Sequence, residues 1–122
     1  MVVPASVYQG DIWWAALDDP VGSEAGYSRP VVIIQCDSIN ASRLQTYLCV
    51  PLTGSRGTGK VTVPWQMHLS ASATGLDRDS IAQPAIAFAV DQSRLIERAG
   101  RIAERQLQQL FRCLDVALGR EV

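Results

Sequence analysis

The stretch GSEAGYSRPVVII, residues 22–34, is informative because it joins a polar loop directly to an apolar strand. The run at residues 30–35 is nearly continuous in Val and Ile, which is typical of a strand buried on both faces. Pro30 restricts the backbone where this strand begins. Arg29 is therefore the last residue of a loop, residues 18–29, that is long for so small a domain. It directly precedes a rigid strand.

The flanking sequence predicts a mainly β domain, residues 1–122, with five or six short strands and one C-terminal helix. The predicted strands are residues 11–17, 30–35, 46–52, 61–69, 80–90 and, as a possible last strand, 99–102. Pro64 and Pro84 fall inside two of them and predict an edge or a bulge. A short helical turn is expected at residues 40–44, and Asp91 is expected to cap another turn through Leu95.

The period of the apolar residues changes near the end of the chain. Apolar residues at positions 107, 110, 111, 114, 117 and 118 follow three- and four-residue steps, which predicts one apolar helix face. Gly119 is a typical helix stop, whereas Ala103 is a poor N-cap. The pattern favours a small, strongly bent sheet or barrel closed by this amphipathic helix.

Composition limits the classes of protein that fit. The chain has 122 residues, a net charge of −1 and no apolar run of the roughly 18 residues that a membrane-spanning helix needs. The start of the chain does not resemble a secretory signal. Three cysteines are too few, and odd in number, for a disulfide framework, so we expect reduced core cysteines and a cytoplasmic protein.

The charge is unevenly distributed. Residues 1–28 carry four acids and no base, whereas residues 92–122 carry six arginines and four acids. Ten of the eleven basic residues are arginine, which suits bidentate recognition of phosphate or carboxylate. A net charge near zero is not the footprint of a broad nucleic-acid binder, so any such site must be small and local. A solvated arginine-rich surface is the alternative.

Several motifs resemble catalytic signatures but lack essential parts. GSRGTGK, residues 54–60, begins like a phosphate-binding loop, yet Val61 follows it and offers no hydroxyl for Mg²⁺. His68 is the single histidine, which excludes two-histidine catalysis and finger-type zinc sites. Residues 77–79 indicate a turn, since the later ligands of a calcium loop are missing. The sequence thus predicts neither a metal nor another cofactor.

Two short segments end with residues suited to phosphate chemistry. Arg29 precedes one buried strand, and Thr53 ends the segment VPLT, residues 50–53, beside the flexible loop at residues 54–60. From the residues alone, an Arg and a Thr at strand ends more often form a loop hydrogen bond than a catalytic pair. Tyr27 and Trp65 are candidates for stacking on a base. Trp13 and Trp14 point to opposite faces of a strand and favour packing.

A set of motifs in matching order resembles the MazF/PemK family of toxin endoribonucleases. The matching segments are GDIW at residues 10–13, GSEAGYSRPVVII at 22–34, VPLT at 50–53, GLDRDS at 75–80, Asp91 with Arg94-Leu95, GRI at 100–102 and ALG at 117–119. The second of these segments contains Arg29, and VPLT contains Thr53. The resemblance spans nearly the whole chain.

The resemblance implies an SH3-like barrel that forms a homodimer, binds a cognate antitoxin protein and cleaves single-stranded RNA without a metal. It implies that Arg29 and Thr53 are catalytic and that residues 18–28 form a substrate lid. Cleavage would leave a 2′,3′-cyclic phosphate and a 5′-OH. The residues expected to contact substrate are Gly22, Ser23, Glu24, Tyr27, Ser55 and Arg56.

One segment departs from the family. Many members carry a polar E-Q-I-R run where this chain has AIAF, residues 85–88. The change leaves open an alternative, a degenerate toxin-fold module that binds antitoxin without cleaving RNA. It also predicts that Phe88 has a role in the dimer. The gyrase-poisoning relatives of this fold end in Trp-Gly-Ile, which this chain lacks.

The charge division predicts where an antitoxin would dock. An antitoxin segment that folds on binding commonly combines apolar anchors with charge. The arginines at positions 94, 98, 101 and 105 are the expected surface for its acidic residues. Its apolar anchors are expected in the groove between subunits, where they would displace the lid.

Overall fold

The computed structural model describes residues 6–54, 61 and 63–120. Seven strands and three α-helices follow one another along the chain. They are β1 (Asp11–Ala16), β2 (Ser28–Ile33), α1 (Asp37–Asn40), β3 (Thr46–Gly54), β4 (Met67–Leu69), α2 (Ala71–Thr74), β5 (Ser80–Ala82), β6 (Phe88–Asp91), β7 (Leu95–Arg101) and α3 (Glu104–Ala117). Two 3-10 turns, Pro84–Ile86 and Gln92–Arg94, flank β6. The mainly β class with a C-terminal helix is confirmed, with one more strand than the upper number expected.

All seven strands belong to one antiparallel sheet in the order β4-β5-β3-β2-β1-β7, and β6 pairs with the first half of β3. Among the described residues no ladder joins β7 back to β4, so the barrel is open rather than strictly closed. β3 is central because its second half pairs with β5 and its middle pairs with β2. The ends of β2, β3 and β5 therefore lie side by side.

Two apolar cores lie on opposite faces of the sheet. Alternate residues of β2 supply both, with Val32 in the core under α3 and Val31 and Ile33 in the other. All three are fully buried, as the continuous Val and Ile run predicts. Trp13 is buried in the second core, while Trp14 on the opposite face is half-buried.

Helix α3 covers the first core with Leu107, Leu110 and Cys113. Its N-cap Ala103 has no side-chain acceptor, and Gln106 compensates by accepting the Ala103 N–H at 3.2 Å. Gly119 ends the helix with a left-handed φ of +73°. The apolar face is shorter than predicted, because Leu118 lies past the last helical residue and is exposed.

The two predicted strands that contain Pro64 and Pro84 differ from the prediction. In place of a strand at residues 61–69, only Met67–Leu69 is a strand, and Pro64 and Trp65 form a turn. Residues 80–90 form two strands, because Pro84 begins a 3-10 turn between them. Proline has no N–H for a ladder, which accounts for both corrections. Thr62 lies outside the described residues.

Further element boundaries differ, including that of β2, which is Ser28–Ile33 rather than residues 30–35 and so contains Arg29. The helical turn expected at residues 40–44 is at Asp37–Asn40, where Asn40 donates to the carbonyl of Gln35. The last strand begins at Leu95 rather than residue 99, because it pairs with β1 along its length. The sequence pattern does not predict helix α2; Ser70 caps its first turn and Gly75 ends it with φ +79°. Asp91 caps its 3-10 turn as expected.

A buried carboxylate fixes β7 to β1. Asp11 is 1% exposed, and its Oδ1 accepts a hydrogen bond from Nε of Arg98 at 3.3 Å and forms an ion pair with Nε of Arg101 at 3.2 Å. Its Oδ2 accepts from the main-chain N–H of Tyr8 at 2.9 Å and from Trp13 Nε1 at 3.4 Å. The acidic start and the basic end of the chain therefore neutralise each other at this point. None of the helices in the described part of the chain is long and apolar enough to cross a membrane.

Candidate active site

Arg29 and Thr53 are brought to the same edge of the sheet by the pairing of β2 with β3. Val31 pairs with Pro51 in that ladder, so the same register continued by two residues places Arg29 opposite Thr53. The Arg29 Nη1 donates to the carbonyl of Leu52, the residue before Thr53, at 3.5 Å. Its Nε donates to the carbonyl of Gly26 at 3.4 Å. The catalytic pair expected from the sequence is thus two neighbours in space.

No acid among the described residues neutralises the positive charge of Arg29. Within the described residues, none of the five ion pairs includes Arg29. Both of its contacts are long hydrogen bonds to main-chain carbonyls, which orient the guanidinium without cancelling its charge. A guanidinium held this way keeps donors available for an anionic group such as a phosphate.

The Thr53 hydroxyl lies in a small polar network. Its Oγ1 donates to the carbonyl of Ile81 on β5 at 3.4 Å and accepts from Nε2 of Gln83 at 3.4 Å. The side chain of Gln83 in turn accepts from Nε2 of Gln66 at 2.7 Å. Sequence analysis missed both glutamines, since no motif or spacing links them to Thr53.

The predicted lid is an ordered loop whose two sides hydrogen-bond. Leu17 donates its N–H to the carbonyl of Tyr27 at 2.7 Å, and Tyr27 donates to the carbonyl of Asp18 at 3.2 Å. Gly26 packs so closely on Pro20 that an added Cβ would lie 2.3 Å from Pro20 Cδ. Tyr27 has a positive φ of 61° and is 61% exposed. Its ring is therefore open to solvent.

Glu24 is turned toward its own loop. Its Oε1 accepts from the N–H of Val21 at 2.9 Å, and its own N–H donates to the Val21 carbonyl at 3.2 Å. Gly22 permits this tight turn with a φ of +60°. Ser23 and Glu24 are both exposed.

The predicted site residues divide between two cavities. Ser23 and Glu24 line an open cavity of about 690 Å³ beside β6, whereas Arg29 lines a separate one of about 440 Å³. The smaller cavity is bounded by Trp14, Leu52 and the turn at residues 75–80. The pairing of β2 with β3 makes Arg29 and Thr53 neighbours, but Thr53 lines neither cavity, and Glu24 lines a different cavity from Arg29. Ser55 and Arg56, with the rest of the loop at residues 55–60, lie outside the described residues.

The larger cavity is acidic. Its lining includes four carboxylates, at Asp18, Asp19, Glu24 and Asp91, and one arginine, Arg94. Arg94 is already paired with Asp18, with Nη1 to Oδ1 at 3.1 Å and Nη2 to Oδ2 at 3.3 Å. Hydrogen bonds from the side chain and the N–H of Ser93 lower the pKa of Asp91, which keeps this carboxylate ionised. The excess of carboxylates in this cavity disfavours phosphate, whereas the cavity at Arg29 is lined by two arginines, Arg29 and Arg78, and two carboxylates, Asp77 and Asp79.

His68 forms a structural contact and is not one of the polar groups that contact Arg29. Its Nε2 lies 3.1 Å from Oδ2 of Asp79, whose Oδ1 accepts the N–H of Ala71 at 2.8 Å. The pair joins β4 to the first turn of α2. In the described part of the chain no group of three or more His, Cys, Asp or Glu side chains is arranged to hold a metal ion.

Comparison with known proteins identifies the protein family to which this chain belongs. Residues 8–118 match the family described as the PemK-like, MazF-like toxin of type II toxin–antitoxin systems. The match covers most of the chain, and the chain belongs to this family. The resemblance found in the sequence is therefore confirmed.

Curated relatives match over almost their full length. Endoribonuclease MazF6 of Mycobacterium tuberculosis is 32% identical over 108 residues, which are 88% of this chain and 93% of the relative. Endoribonuclease MazF9 of the same organism is 35% identical, covering 90% and 94%. Endoribonuclease MazF of Staphylococcus saprophyticus is 31% identical, covering 91% and 90%.

Solved structures share the fold at lower identity. MazF from Deinococcus radiodurans gives a TM-score of 0.74 at 21% identity, covering 98% of this chain and 99% of that one. Mycobacterium tuberculosis toxin MazF-mt6 gives 0.73 at 18% identity, covering 92% and 99%. A mycobacterial endoribonuclease in complex with its cognate antitoxin gives 0.72 at 17%, covering 93% and 96%. These likenesses agree with the SH3-like barrel expected from the sequence.

Proposed function

We propose that this toxin endoribonuclease cleaves single-stranded RNA without a metal, using Arg29 and Thr53 as its catalytic residues. The observation that carries the proposal is the Arg29 guanidinium, which has no carboxylate partner in the described structure and lies beside Thr53. The endoribonuclease class follows from the family and from relatives at 31–35% identity.

The proposed reaction is an internal transesterification. The ribose 2′-oxygen attacks the adjacent phosphorus and gives its proton to water, while the bond from phosphorus to the 5′-oxygen of the next nucleotide breaks and that oxygen takes up a proton from water. The products are a 2′,3′-cyclic phosphate and a 5′-OH. Negative charge accumulates on the non-bridging oxygens in the transition state, where a preorganised donor has its largest effect.

Arg29 suits this charge because a guanidinium presents several donors in a rigid fork. A guanidinium rarely loses its proton at neutral pH, so Arg29 acts as a donor rather than as the base that accepts the 2′-OH proton. Thr53 would donate its hydroxyl hydrogen to a non-bridging oxygen. The phosphate would exchange the long Thr53–Ile81 contact for a stronger, charge-assisted one.

The two cavities suggest how RNA lies on the protein. The scissile phosphate occupies the hollow at Arg29, and the acidic cavity at Glu24 receives no phosphate. A base is the part of RNA that the acidic cavity accepts, since carboxylates take hydrogen bonds from amino groups. The loop residues would then contact parts of the RNA other than the reacting phosphate. These residues are Gly22, Ser23, Glu24 and Tyr27.

We also propose that the chain forms a homodimer and binds a cognate antitoxin in the cytoplasm. A mycobacterial structural neighbour is solved with its cognate antitoxin, which supports the second part. The homodimer is supported by exposed apolar side chains on the paired strands β3 and β6, where Leu48 is 49% exposed and lies opposite the exposed Ala89.

Expression of the chain alone in bacteria tests the proposed function. RNA is collected shortly after induction, and its 5′-OH ends are mapped by sequencing. We expect new 5′-OH ends at one short recurring sequence, which the Arg29→Ala variant does not produce. Antitoxin binding without new RNA ends would favour the degenerate module, for which the apolar segment at residues 85–88 is the supporting observation.

A further inference from the structure

Gln83 is placed to control the orientation of the Thr53 hydroxyl. Its Nε2 donates to Thr53 Oγ1 at 3.4 Å, and its Oε1 accepts from Gln66 Nε2 at 2.7 Å. Because Oε1 is engaged by a donor, the amide of Gln83 presents its NH₂ group to Thr53. The three residues form a chain of hydrogen bonds that ends at the hydroxyl.

The backbone of Gln83 is fixed independently of that chain. Its N–H donates to the carbonyl of Pro51, two residues before Thr53 on β3, at 3.0 Å. Pro84 follows and begins the 3-10 turn at Pro84–Ile86. Gln83 is partly buried, so its side chain has little freedom to leave this position.

The direction of the hydrogen bond between Gln83 and Thr53 determines whether the Thr53 hydroxyl can donate to a phosphate oxygen. A hydroxyl that accepts a hydrogen bond from Gln83 keeps its own hydrogen for another acceptor. That acceptor is now the Ile81 carbonyl, at a weak 3.4 Å. A phosphate oxygen arriving at Arg29 would replace it. If Gln83 were an acceptor instead, it would compete with the phosphate for the same hydrogen.

We infer that Gln83 is a positioning residue for cleavage, which holds the Thr53 hydroxyl as a donor to the scissile phosphate and is itself oriented by Gln66. The inference rests on the proposed catalytic role of Thr53. It assigns a function to a residue that touches neither the reacting atoms nor Arg29.

The test is a double-mutant cycle on the purified full chain, with an RNA oligonucleotide that carries a site mapped from 5′-OH ends. Gln83→Leu should lower kcat by about three- to tenfold, the effect of losing one neutral hydrogen bond, and change KM by less than about twofold. In a Thr53→Ala background the same change should have no further effect. Gln83→Glu, which cannot donate when ionised, should lower kcat at least as much.

Gln108→Leu is the matched control, because this glutamine bonds Glu104 on the exposed face of α3. Gln66→Leu should reduce kcat in the same direction as Gln83→Leu but less. Thermal melting of each variant tests the fold, and if Gln83→Leu does not fold, the closer isostere Gln83→Glu carries the cycle.

Three outcomes distinguish failure of the inference about Gln83 from failure of the proposed role of Thr53. Equal losses from Gln83→Leu in the wild-type and Thr53→Ala backgrounds, or no loss in either while Thr53→Ala is slow, would overturn the inference alone. A Thr53→Ala variant that cleaves at the wild-type rate would overturn the proposed role of Thr53, and the role of Gln83 with it.

Discussion

The Arg29 guanidinium donates across from β2 to the carbonyl of Leu52, the residue that precedes Thr53 on β3. This contact couples the end of the predicted lid to the strand that carries the hydroxyl. A second bond to Gly26 joins the same guanidinium to the lid itself. Movement of the loop would therefore alter the position of Arg29, so the predicted lid can affect the geometry of the candidate active site.

The carboxylate of Asp11 should contribute strongly to stability. Asp11→Asn keeps the shape of the side chain but removes the charge that Arg98 and Arg101 both contact. We expect a loss of about 1.5–3 kcal/mol, the range for hydrogen bonds to a charged group, in the free energy of unfolding. Urea denaturation measures it. Asp115→Asn, which removes a partner of Arg120 from a far more exposed pair, is the control and should change stability by less than about 1 kcal/mol.

Thiol reactivity should separate the three cysteines. Cys36 is exposed, so the expectation that all three cysteines lie in the core is wrong for this residue. A hydrogen bond with the Ser38 side chain lowers the pKa of Cys36, so it forms thiolate at a lower pH than an ordinary cysteine. Burial raises the pKa of Cys49 to about 12, and that of Cys113 is raised for the same reason.

Iodoacetamide at pH 8 should therefore modify Cys36 first, and all three only after denaturation. Mass spectrometry of the peptides checks this order. The Cys36→Ser variant should take up almost no label while folded. Rapid modification of Cys49 in the folded chain would show that β3 is less buried than the structure has it.

The strands that the sequence predicts best are those whose apolar pattern has a single interpretation. Val31, Val32 and Ile33 are all buried. Leu107 and Leu110 are buried residues of α3, as their spacing predicts. The apolar pattern predicts one strand over residues 80–90 because Ile86 and Phe88 continue its apolar character. The pattern does not reveal that Pro84 starts a turn and sends β6 to a different part of β3.

Family motifs predict Arg29 and Thr53 but not the residues around them. Gln83 reaches Thr53 only because β5 pairs with β3, 30 positions apart in the chain. Asp11 meets Arg98 across 87 positions for a similar reason. Such polar partners leave no local signal, because each residue looks like an ordinary exposed side chain until the strands are paired.

The dimer should depend on the exposed apolar residues of β3 and β6. Leu48→Glu places a charge on this surface at a position that is half exposed, so the monomer should still fold. Light scattering at micromolar concentration should show a shift from dimer to monomer. Leu44→Glu is the control, since Leu44 is equally exposed but precedes β3. Phe88→Arg is less informative, because Phe88 also packs against the second core.

The arginine surface predicted to bind antitoxin is smaller than the sequence suggests. Arg94 is paired with Asp18, and Arg98 and Arg101 are paired with Asp11, which reduces the charge available to a partner. Of the ion pairs among the described residues, none includes Arg105 or Arg112, both exposed on α3.

Reversing Arg105 and Arg112 to Glu should therefore slow antitoxin association and flatten its salt dependence, with cleavage by the free toxin almost unchanged. Stopped-flow or surface-binding kinetics at several salt concentrations measure the effect. Arg43→Glu is the matched control, at an exposed position just after α1. Loss of cleavage with normal antitoxin binding would place these arginines on the RNA path.

The most direct measurement is cleavage of a mapped RNA oligonucleotide by the purified chain in excess EDTA, with the product ends determined by enzymatic phosphorylation. We expect 5′-OH ends, a rate that EDTA does not lower, and a loss of about 10²-fold or more in Arg29→Ala, the effect of removing one preorganised donor. Arg29→Lys should not restore the rate, because a point charge does not replace the guanidinium fork. Metal-dependent cleavage, 5′-phosphate ends, or a fully active Arg29→Ala variant would contradict the proposed mechanism.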